Sequence, residues 1–440
     1  MNKVLVAFLV TCLASLCYSE NAVDPQIQAE IDKIKAIDVH AHPLCVVNEG
    51  ESDTQYDALT FEEMEPFLFP VRIRPDNPEY IEAWKSLWGY QYEERTDEHI
   101  RDMLQAKQRI MKEKGDGYPA WVLDKLGIET MFANRIAMSR GLAAPRFRWV
   151  PFVDALILPL NNETVRKENP DYHSFYVGED RLLKRYLSES NLEAVPATLQ
   201  EYLLKVVTPT LERQKQNGAL AVKFEAAYLR SLDFGNPSQE EAAKIYAQFA
   251  KGGEPPAREY KTLQDFLFRY IAREAGRLSL AVHIHVSIGA GSYYKSKGAN
   301  SPLLLEPTFN DPTLRKTNFV IVHGGWPFIK ETKVLFMKPN VYADFSAQTF
   351  LSYPRQLSQT LRDWLEYMPE KVMFGTDAEP FLPEMNWEET GWLSTTTARQ
   401  ALALALTDMM NDGEITRERA MELARMVLRE NAIQLYNLKP

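Results

Sequence analysis

Short apolar runs alternate with longer amphipathic stretches along most of this 440-residue chain. The runs have the length of buried strands, whereas the stretches between them carry apolar residues at the three- and four-residue spacing of helices. The pattern predicts eight strands, at residues 35–40, 127–133, 148–156, 219–225, 279–285, 318–323, 340–345 and 371–376. Regular alternation of strands and helices predicts an α/β fold in which parallel strands close into a (β/α)8 barrel.

The helical stretches with the clearest periodicity are residues 199–216, 262–277, 354–366, 388–412 and 416–435. The last two follow the eighth strand, so we expect extra C-terminal helices that close the ring. Two segments, residues 46–98 after the first strand and 159–196 after the third, are too long for ordinary connections. Because both follow strands, we expect pocket walls or a lid on the active face, although the second fits equally well as an insertion away from it.

The first 19 residues have the layout of a secretory signal peptide, with Lys3, an apolar stretch from Val4 to Leu16 and small residues after it. The predicted organisation is therefore a signal peptide at 1–19 and a single barrel domain at 20–440. We expect an exported protein, periplasmic or secreted, without stable membrane insertion after cleavage. A lipid anchor on Cys17 is disfavoured because Leu16 stands where a small residue is needed.

Charge and cysteine content restrict the class of partner. The net charge is −10 and no stripe of lysine and arginine occurs, which argues against nucleic acid as a partner. A small-molecule substrate is expected, and a homo-oligomer is left open. After cleavage Cys45 is the sole cysteine. An internal disulfide or a cysteine-rich metal site is therefore excluded, and any metal must use His, Asp, Glu or Lys.

Strand parity predicts which side chains point into the barrel, because alternate residues of a strand face opposite sides. In the fourth run Lys223 and Glu225 share one face, and the residues between them are apolar. In the fifth run His283 and His285 share a face in the same way. A strand buried on both faces does not carry such groups inward without a use for them. His283 lies deeper than His285, so we expect a hydrogen-bonded barrel histidine rather than a ligand.

The first run ends in a histidine pair, His40 and His42, in phase with Asp38. Histidines two residues apart on a strand project to the same side and can share one ion. Three further candidate ligands stand at the ends of later runs: His285, His323 and Asp377. The carboxyl ends of barrel strands meet at one face, so the sequence predicts a divalent metal site there. Imidazole and carboxylate favour zinc, with manganese, iron or cobalt as alternatives.

Several motifs resemble the amidohydrolase superfamily. They are IDVHAHP at the first strand, then AVKFEAAYLR, HIHV, FVIVHGGWPF, VYADFS and FGTDA, with NAIQLYNL near the C-terminus. They are most similar to the amidohydrolase-related branch, which contains aminocarboxymuconate semialdehyde decarboxylase and the amidohydrolases associated with glutamine synthetase and nodulin. The resemblance covers most of residues 37–438 and implies a distorted (β/α)8 barrel.

The resemblance also implies roles for the histidines and for Asp377. His40 and His42 are implied to bind the metal from the first strand, with His285 and Asp377 as ligands from the fifth and eighth strands. His323 corresponds to a histidine that is a ligand or polarises the substrate. A metal lowers the pKa of bound water to about 7, which makes hydroxide available as a nucleophile. Asp377 would then act as general base and acid, and His323 would stabilise charge on the scissile carbonyl. Asp38 could orient a ligand imidazole.

Other residues are open to more than one interpretation. Lys223 occupies the position where some family members carry a carboxylated lysine between two metals, whereas others hold one ion, so one or two ions are expected. Alternatively its ammonium binds a substrate carboxylate. Glu225 is either a replacement ligand or the partner of Arg230 in a salt bridge. Arg230, Tyr228 and Trp326 are candidate substrate-binding residues, and Arg230 has the fork geometry that suits a carboxylate.

These residues support three hypotheses of different classes. The first is a metal-dependent hydrolase of a C–N, amide-like bond in a small substrate. The second is a non-oxidative, metal-dependent decarboxylase of a small carboxylic acid. The third is a barrel that binds metal or ligand without catalysis. Two ions bridged through Lys223 favour hydrolysis, whereas a single ion with a cationic lysine leaves decarboxylation open.

Overall fold

The structure is a computed structural model that describes residues 23–59, 68–286, 289 and 300–439. The predicted signal peptide at residues 1–19 lies outside the described residues. None of the helices in the described ranges is both long enough and apolar enough to cross a lipid bilayer.

Eight parallel strands form the centre of the molecule. They are β1 Ala36–Ala41, β2 Ile128–Asn134, β3 Phe147–Val150, β4 Ala221–Phe224, β5 Ala281–His285, β6 Phe319–Val322, β7 Val341–Asp344 and β8 Val372–Met373. Strands β1 to β3 pair in sequence order, and so do β4 to β8. The amide of Leu220 donates to the carbonyl of Trp149 over 3.1 Å, which joins β3 to β4. The amide of Val39 donates to the carbonyl of Phe374 over 3.0 Å, which closes the barrel between β8 and β1.

Helices surround the barrel and fill the long connections. In chain order they are α1 Pro25–Lys33, α2 Glu79–Trp88, α3 Asp97–Lys114, α4 Tyr118–Leu126, α5 Glu163–Lys167, α6 His173–Glu189, α7 Leu199–Tyr202, α8 Thr208–Gln216, α9 Ala226–Leu229, α10 Gln239–Phe249, α11 Ala257–Arg277, α12 Glu306–Phe309, α13 Ile329–Leu335, α14 Gln348–Leu351, α15 Pro354–Leu365, α16 Trp387–Asn411, α17 Arg417–Arg425 and α18 Asn431–Tyr436. A π-helical turn at Leu203–Val207 joins α7 to α8.

The predicted fold is confirmed, since each predicted strand overlaps an observed one. The largest difference is at β3, which ends at Val150, whereas a run of apolar residues extends to Leu156. A 3-10 helix at Asp154–Ile157 contains the end of that run. Hydrophobic periodicity does not distinguish this short helix from a strand, because the helix is fully buried and nearly as apolar as a buried strand.

A small apolar cluster fills the interior of the barrel. It combines residues of seven different strands with the C-terminal helix α18: Ile37, Val39, Phe132, Val150, Ala221, Ala281, Val320, Met373, Ala432 and Tyr436. Residues from so many strands can touch one another only inside a closed ring. The hydroxyl of Tyr436 lies 2.6 Å from His283 Nε2, and both groups are buried. His283 is thus a hydrogen-bonded barrel histidine, as its depth in the strand predicts.

A buried ion cluster fastens the helices between β1 and β2 to the C-terminal part of the barrel. Lys107 Nζ lies 3.0 Å from carboxylate oxygens of both Glu388 and Glu389, at the start of α16. The indole of Trp88 donates to Glu389 over 2.7 Å, and the hydroxyl of Tyr118 donates to Glu388. The cluster holds α2, α3 and α4 against α16, whose preceding loop follows the eighth strand.

We expect Lys107→Met to reduce the free energy of unfolding by about 3–5 kcal/mol, because it leaves two buried carboxylates without their cation. Lys112→Met on the exposed side of α3 is the control, with an expected change within about 0.5 kcal/mol. Urea denaturation of both variants measures the difference. Equal stability of the two would show that the cluster contributes little to the fold.

Candidate metal centre

Three predicted ligands meet where the eighth strand closes on the first. His40 lies near the end of β1, His42 follows that strand, and Asp377 follows β8. The amide of Asp377 donates to the carbonyl of His40 over 2.7 Å, which continues the pairing of the two strands beyond β8. The possible ligand atoms of these three residues all lie within 4.8 Å of one another, and all three side chains are buried.

The spacing of these atoms fits a divalent ion. Asp377 Oδ1 lies 3.1 Å from His40 Nε2 and 3.6 Å from His42 Nε2. Ligands placed 2.0–2.1 Å from a tetrahedral ion stand about 3.4 Å apart. Two imidazoles and a carboxylate are also a donor set that zinc accepts. The residues therefore fit a metal without a large movement.

His285 and His323 extend the same cluster. His323 Nδ1 lies 3.7 Å from Asp377 Oδ2, and His323 Nε2 lies 3.1 Å from His285 Nδ1. His285 is 4% exposed, and its Nε2 is buried without a hydrogen-bond partner in the structure. A buried imidazole nitrogen without a partner has a free energy cost that a metal or a substrate would remove. The structure thus brings all five predicted His and Asp ligands together.

Lys223 lies in the centre of the group. Its Nζ is 3.3 Å from His40 Nε2 and 3.5 Å from Glu225 Oε1. The alternative in which Glu225 pairs with Arg230 is wrong: the Arg230 guanidinium is 2.5 Å from Asp265 on α11. The position of Lys223 suits both a carboxylated lysine and a cationic one, so geometry leaves both interpretations of this residue in place.

Several residues that the sequence did not single out orient the ligands. Asp57 Oδ2 lies 2.7 Å from His42 Nδ1, and the side-chain amide of Asn134 lies 3.1 Å from His40 Nδ1. Ser346 Oγ lies 2.9 Å from His323 Nδ1. Such contacts fix the orientation of an imidazole and leave its other nitrogen for a metal.

Asp38 does not have the role expected for it. Its carboxylate accepts hydrogen bonds from the backbone amides of His40 and Thr376 over 3.1 and 3.0 Å, and it contacts no imidazole ring. Its place deep in β1 turns the carboxylate toward the neighbouring β8 backbone. Asp344 has a similar function on β7, because it accepts from the backbone amide of His323 over 3.1 Å. Both carboxylates thus position backbone rather than ligand side chains.

The backbone at two of these residues is in the left-handed region. His323 has a φ of 60° and Asp377 a φ of 57°, which is unusual for residues other than glycine. Each such residue costs about 1–3 kcal/mol, and such strain is concentrated at active sites. Gly375 permits the close approach of β8, since a Cβ there would lie 2.9 Å from Ser346 Cβ.

Burial determines the charge of the histidines. It lowers the pKa of His323 to about 4 and that of His40 and His285 well below the usual range, so all three are neutral at pH 7. Although burial alone would raise it, the pKa of Asp377 is held well below its usual range by the neighbouring His323 and His40. Neutral imidazoles and an ionised carboxylate are the protonation states that bind a metal.

A cavity of about 200 Å³ opens over the cluster. His42, Lys223, His285, His323 and Asp377 form its floor. The first insertion supplies five of the lining residues, which are Asp57, Leu59, Phe69, Pro70 and Ile73. The expectation that this insertion forms a pocket wall is therefore correct. The second insertion lies farther out, where α6 lines a neighbouring cavity of about 900 Å³.

Two of the three predicted substrate-binding residues face this cavity. Tyr228 and Trp326 line it, and the Tyr228 ring is 4.3 Å from that of His285. Arg230 is outside the lining, because it pairs with Asp265 and also donates to Gln264 over 3.1 Å. Its side chain is held by α11, so the structure does not place it where a substrate carboxylate would bind.

Comparison with known protein families supports the resemblance to amidohydrolases. The family model described as Amidohydrolase matches residues 200–438, more than half of the chain. That range contains Lys223, His285, His323 and Asp377. A curated relative, Protein fluG of Emericella nidulans, is 26% identical over 231 residues, which are 49% of this chain and 25% of that protein. The match therefore spans about a quarter of the relative's length.

Solved structures show the same fold over nearly the whole chain. Glucuronate isomerase from Caulobacter crescentus has a TM-score of 0.61 at 13% identity, with 94% of each chain covered. A Lactobacillus casei protein provisionally assigned as a metal-dependent hydrolase has a TM-score of 0.57 at 15% identity, with 94% of this chain and 98% of that one covered. At such low identity the likeness shows the fold alone.

Proposed function

The chain belongs to the amidohydrolase family, and we propose that it is a metal-dependent hydrolase that cleaves a C–N, amide-like bond in a small substrate. The observation that carries the proposal is that His40, His42 and Asp377 lie together where β1 and β8 end, beside His285 and His323. The cavity above them is small, so a compact substrate is expected.

In this proposal some residues would bind the metal ion and others orient those ligands. His40, His42, His285 and Asp377 would hold a divalent ion, for which zinc is our first choice. When bound, the ion supplies a Lewis acid that polarises a carbonyl and makes water more acidic. Asp57, 2.7 Å from His42, orients that imidazole. The left-handed backbone of Asp377 directs its carboxylate to the cavity floor, where it lines the pocket.

In this proposal Asp377 transfers the proton and His323 stabilises the developing negative charge. Asp377 accepts a proton from the attacking water at a carboxylate oxygen and later returns it to the leaving nitrogen. Its low pKa keeps that oxygen ionised before attack. His323 would donate a hydrogen bond from Nε2, which lies against His285 Nδ1 in the structure, to the scissile carbonyl oxygen as negative charge develops there. Ser346, 2.9 Å from His323 Nδ1, holds the ring in place for this contact.

Decarboxylation is the weaker candidate on this geometry. Arg230, the residue best suited to bind a substrate carboxylate, pairs with Asp265 outside the cavity. Among the described lining residues, Lys223 is then the only basic group apart from the histidines, and a carboxylate, Glu225, lies 3.5 Å from it. A substrate with its own carboxylate would face Asp57, Glu225 and Glu379 in the same space.

A direct experiment tests the proposed reaction. The purified protein is stripped with a chelator, reloaded with zinc, manganese, iron or cobalt, and assayed on panels of small amides and of small carboxylic acids. Amide hydrolysis that disappears on stripping and returns on reloading is the expected result. Release of carbon dioxide without amide hydrolysis would favour the decarboxylase. A protein that retains its metal and converts neither panel would support the non-catalytic barrel.

Lys223→Ala tests the number of ions. If a carboxylated lysine bridges two metals, elemental analysis should show two ions per wild-type chain and one or none in the variant, because the bridging ligand is lost. If Lys223 is cationic, the wild type should hold one ion and the variant should keep it. Lys205→Ala, at an exposed position in the π-helical turn between α7 and α8, is the control and should keep the wild-type metal content.

A further inference from the structure

The cavity contains more negative charge than the metal centre uses. Its described lining includes four carboxylates, those of Asp57, Glu225, Asp377 and Glu379, and one lysine, Lys223. With a dication bound and every group ionised, these charges leave the site at about −1. The lining therefore holds one carboxylate more than a dication and Lys223 together can balance.

Among these carboxylates, Glu379 is the one whose side chain has no partner among the described residues. It lies two residues after Asp377, in the loop that leaves β8, and its backbone amide donates to Thr390 over 3.1 Å. Its side chain makes no hydrogen bond or ion pair with any other described residue, although it lines the cavity. By contrast, Asp57 contacts His42 and Glu225 contacts Lys223.

Glu225 supplies a second, independent sign of a missing ligand. Its side chain lines the cavity and the residue is 5% exposed. One carboxylate oxygen is 3.5 Å from Lys223 Nζ, but the other, Oε2, is buried and accepts no hydrogen bond in the structure. A buried carboxylate oxygen without a donor is costly, and a donor that enters the cavity would remove that cost.

Aromatic rings form the walls around these carboxylates. Phe69, Tyr228, Trp326, Phe350 and Phe381 all line the same cavity. Ring faces attract organic cations and also cover the apolar part of a ligand. An aromatic wall above Glu379 and the free oxygen of Glu225 is the chemistry that recognises an amine carrying a hydrocarbon group. A hydrated metal ion needs oxygen ligands and gains little from such walls.

We propose that the substrate carries a protonated nitrogen next to an apolar group, and that Glu379, together with Glu225, binds this ammonium group while the aromatic wall holds the apolar part. The inference rests on the proposed hydrolase function and names its substrate class, a small amide with a cationic amine. Glu379 is then a specificity-determining residue. The cavity volume of about 200 Å³ limits the substrate to a compact molecule.

Equilibrium binding tests the inference without turnover. Benzylammonium and benzyl alcohol have nearly the same size and differ in charge, so calorimetric titration of the metal-loaded protein with each isolates the effect of the charge. We expect benzylammonium to bind at least about tenfold more tightly than benzyl alcohol. Glu379→Gln should remove about a factor of ten from benzylammonium affinity, as expected for a charged hydrogen bond. It should leave benzyl alcohol affinity unchanged, which also shows that the pocket is intact.

Glu384→Gln is the matched control, because Glu384 lies in the same loop, contacts Arg95 and does not line the cavity. It should bind both probes as the wild type does. Equal affinity of the two probes for the wild type would overturn the inference. So would loss of a metal ion from Glu379→Gln in elemental analysis, since Glu379 would then be a metal ligand.

The two proposals fail separately. If the protein prefers benzylammonium but hydrolyses no amide, the charge selectivity holds and the proposed function is wrong. If it hydrolyses amides but binds both probes equally, the function holds and the substrate class is wrong. In the second case, neutral and cationic amides should also have equal KM values in the wild type and in Glu379→Gln.

Discussion

Asp377→Asn should lower kcat by about 10²–10⁴ while the fold is retained, because removing a general base has an effect of that size. Asparagine keeps the shape of the side chain but cannot accept the proton of the attacking water. It also tolerates the left-handed backbone that Asp377 adopts, with its φ of 57°, better than most residues do. The hydrogen bond from this backbone amide to the His40 carbonyl does not depend on the side chain.

The measurement must distinguish the loss of the general base from the loss of bound metal, since Asp377 is also a candidate metal ligand. Activity of the variant is therefore measured at increasing metal concentration, with bound metal determined in parallel. Low turnover at full metal occupancy is the expected result, and thermal unfolding should show an intact fold. Asp76→Asn, at an exposed position, is the control and should have wild-type turnover. Wild-type kcat in metal-loaded Asp377→Asn would eliminate its role as base.

The barrel and its ligands could be predicted because both follow from local pattern. Buried strands need short apolar runs, and parallel strands bring their carboxyl ends to one face. Depth along the strand also distinguished His285, at the cavity, from His283, which bonds Tyr436 deeper in the barrel. The predicted ligands, although far apart in sequence, lie close together because each is at the carboxyl end of its own strand.

The rest of the site depends on loops, which have no such periodicity. Asp57 belongs to the first insertion and Glu379 to the loop after β8, and no repeat or parity relates either to the strand ends. One feature of the sequence could have indicated Glu379 as a site residue: it lies only two residues beyond the predicted ligand Asp377. Arg230 was placed wrongly because an arginine suits a substrate carboxylate and Asp265 equally well. Only the packing of α11 against the loop decides between them.

His40→Ala should remove the metal, and with it the activity. His40 Nε2 is 3.1 Å from Asp377 Oδ1 and 3.3 Å from Lys223 Nζ, so this imidazole lies at the centre of the donor group. Its loss should weaken metal binding more than the roughly 10- to 100-fold caused by removing a residue that only orients a ligand. Elemental analysis of the purified variant should therefore find little metal.

Thermal stability gives a second measurement that does not depend on turnover. A metal that binds only the folded state raises Tm in proportion to the logarithm of its concentration. Added zinc should thus raise the Tm of the stripped wild type and of His173→Ala, whose exposed ring bonds the carbonyl of Pro170. It should have a much smaller effect on His40→Ala. An equal rise in all three proteins would show that the ion binds elsewhere, because the same free energy of binding would then be available without the β1 imidazole.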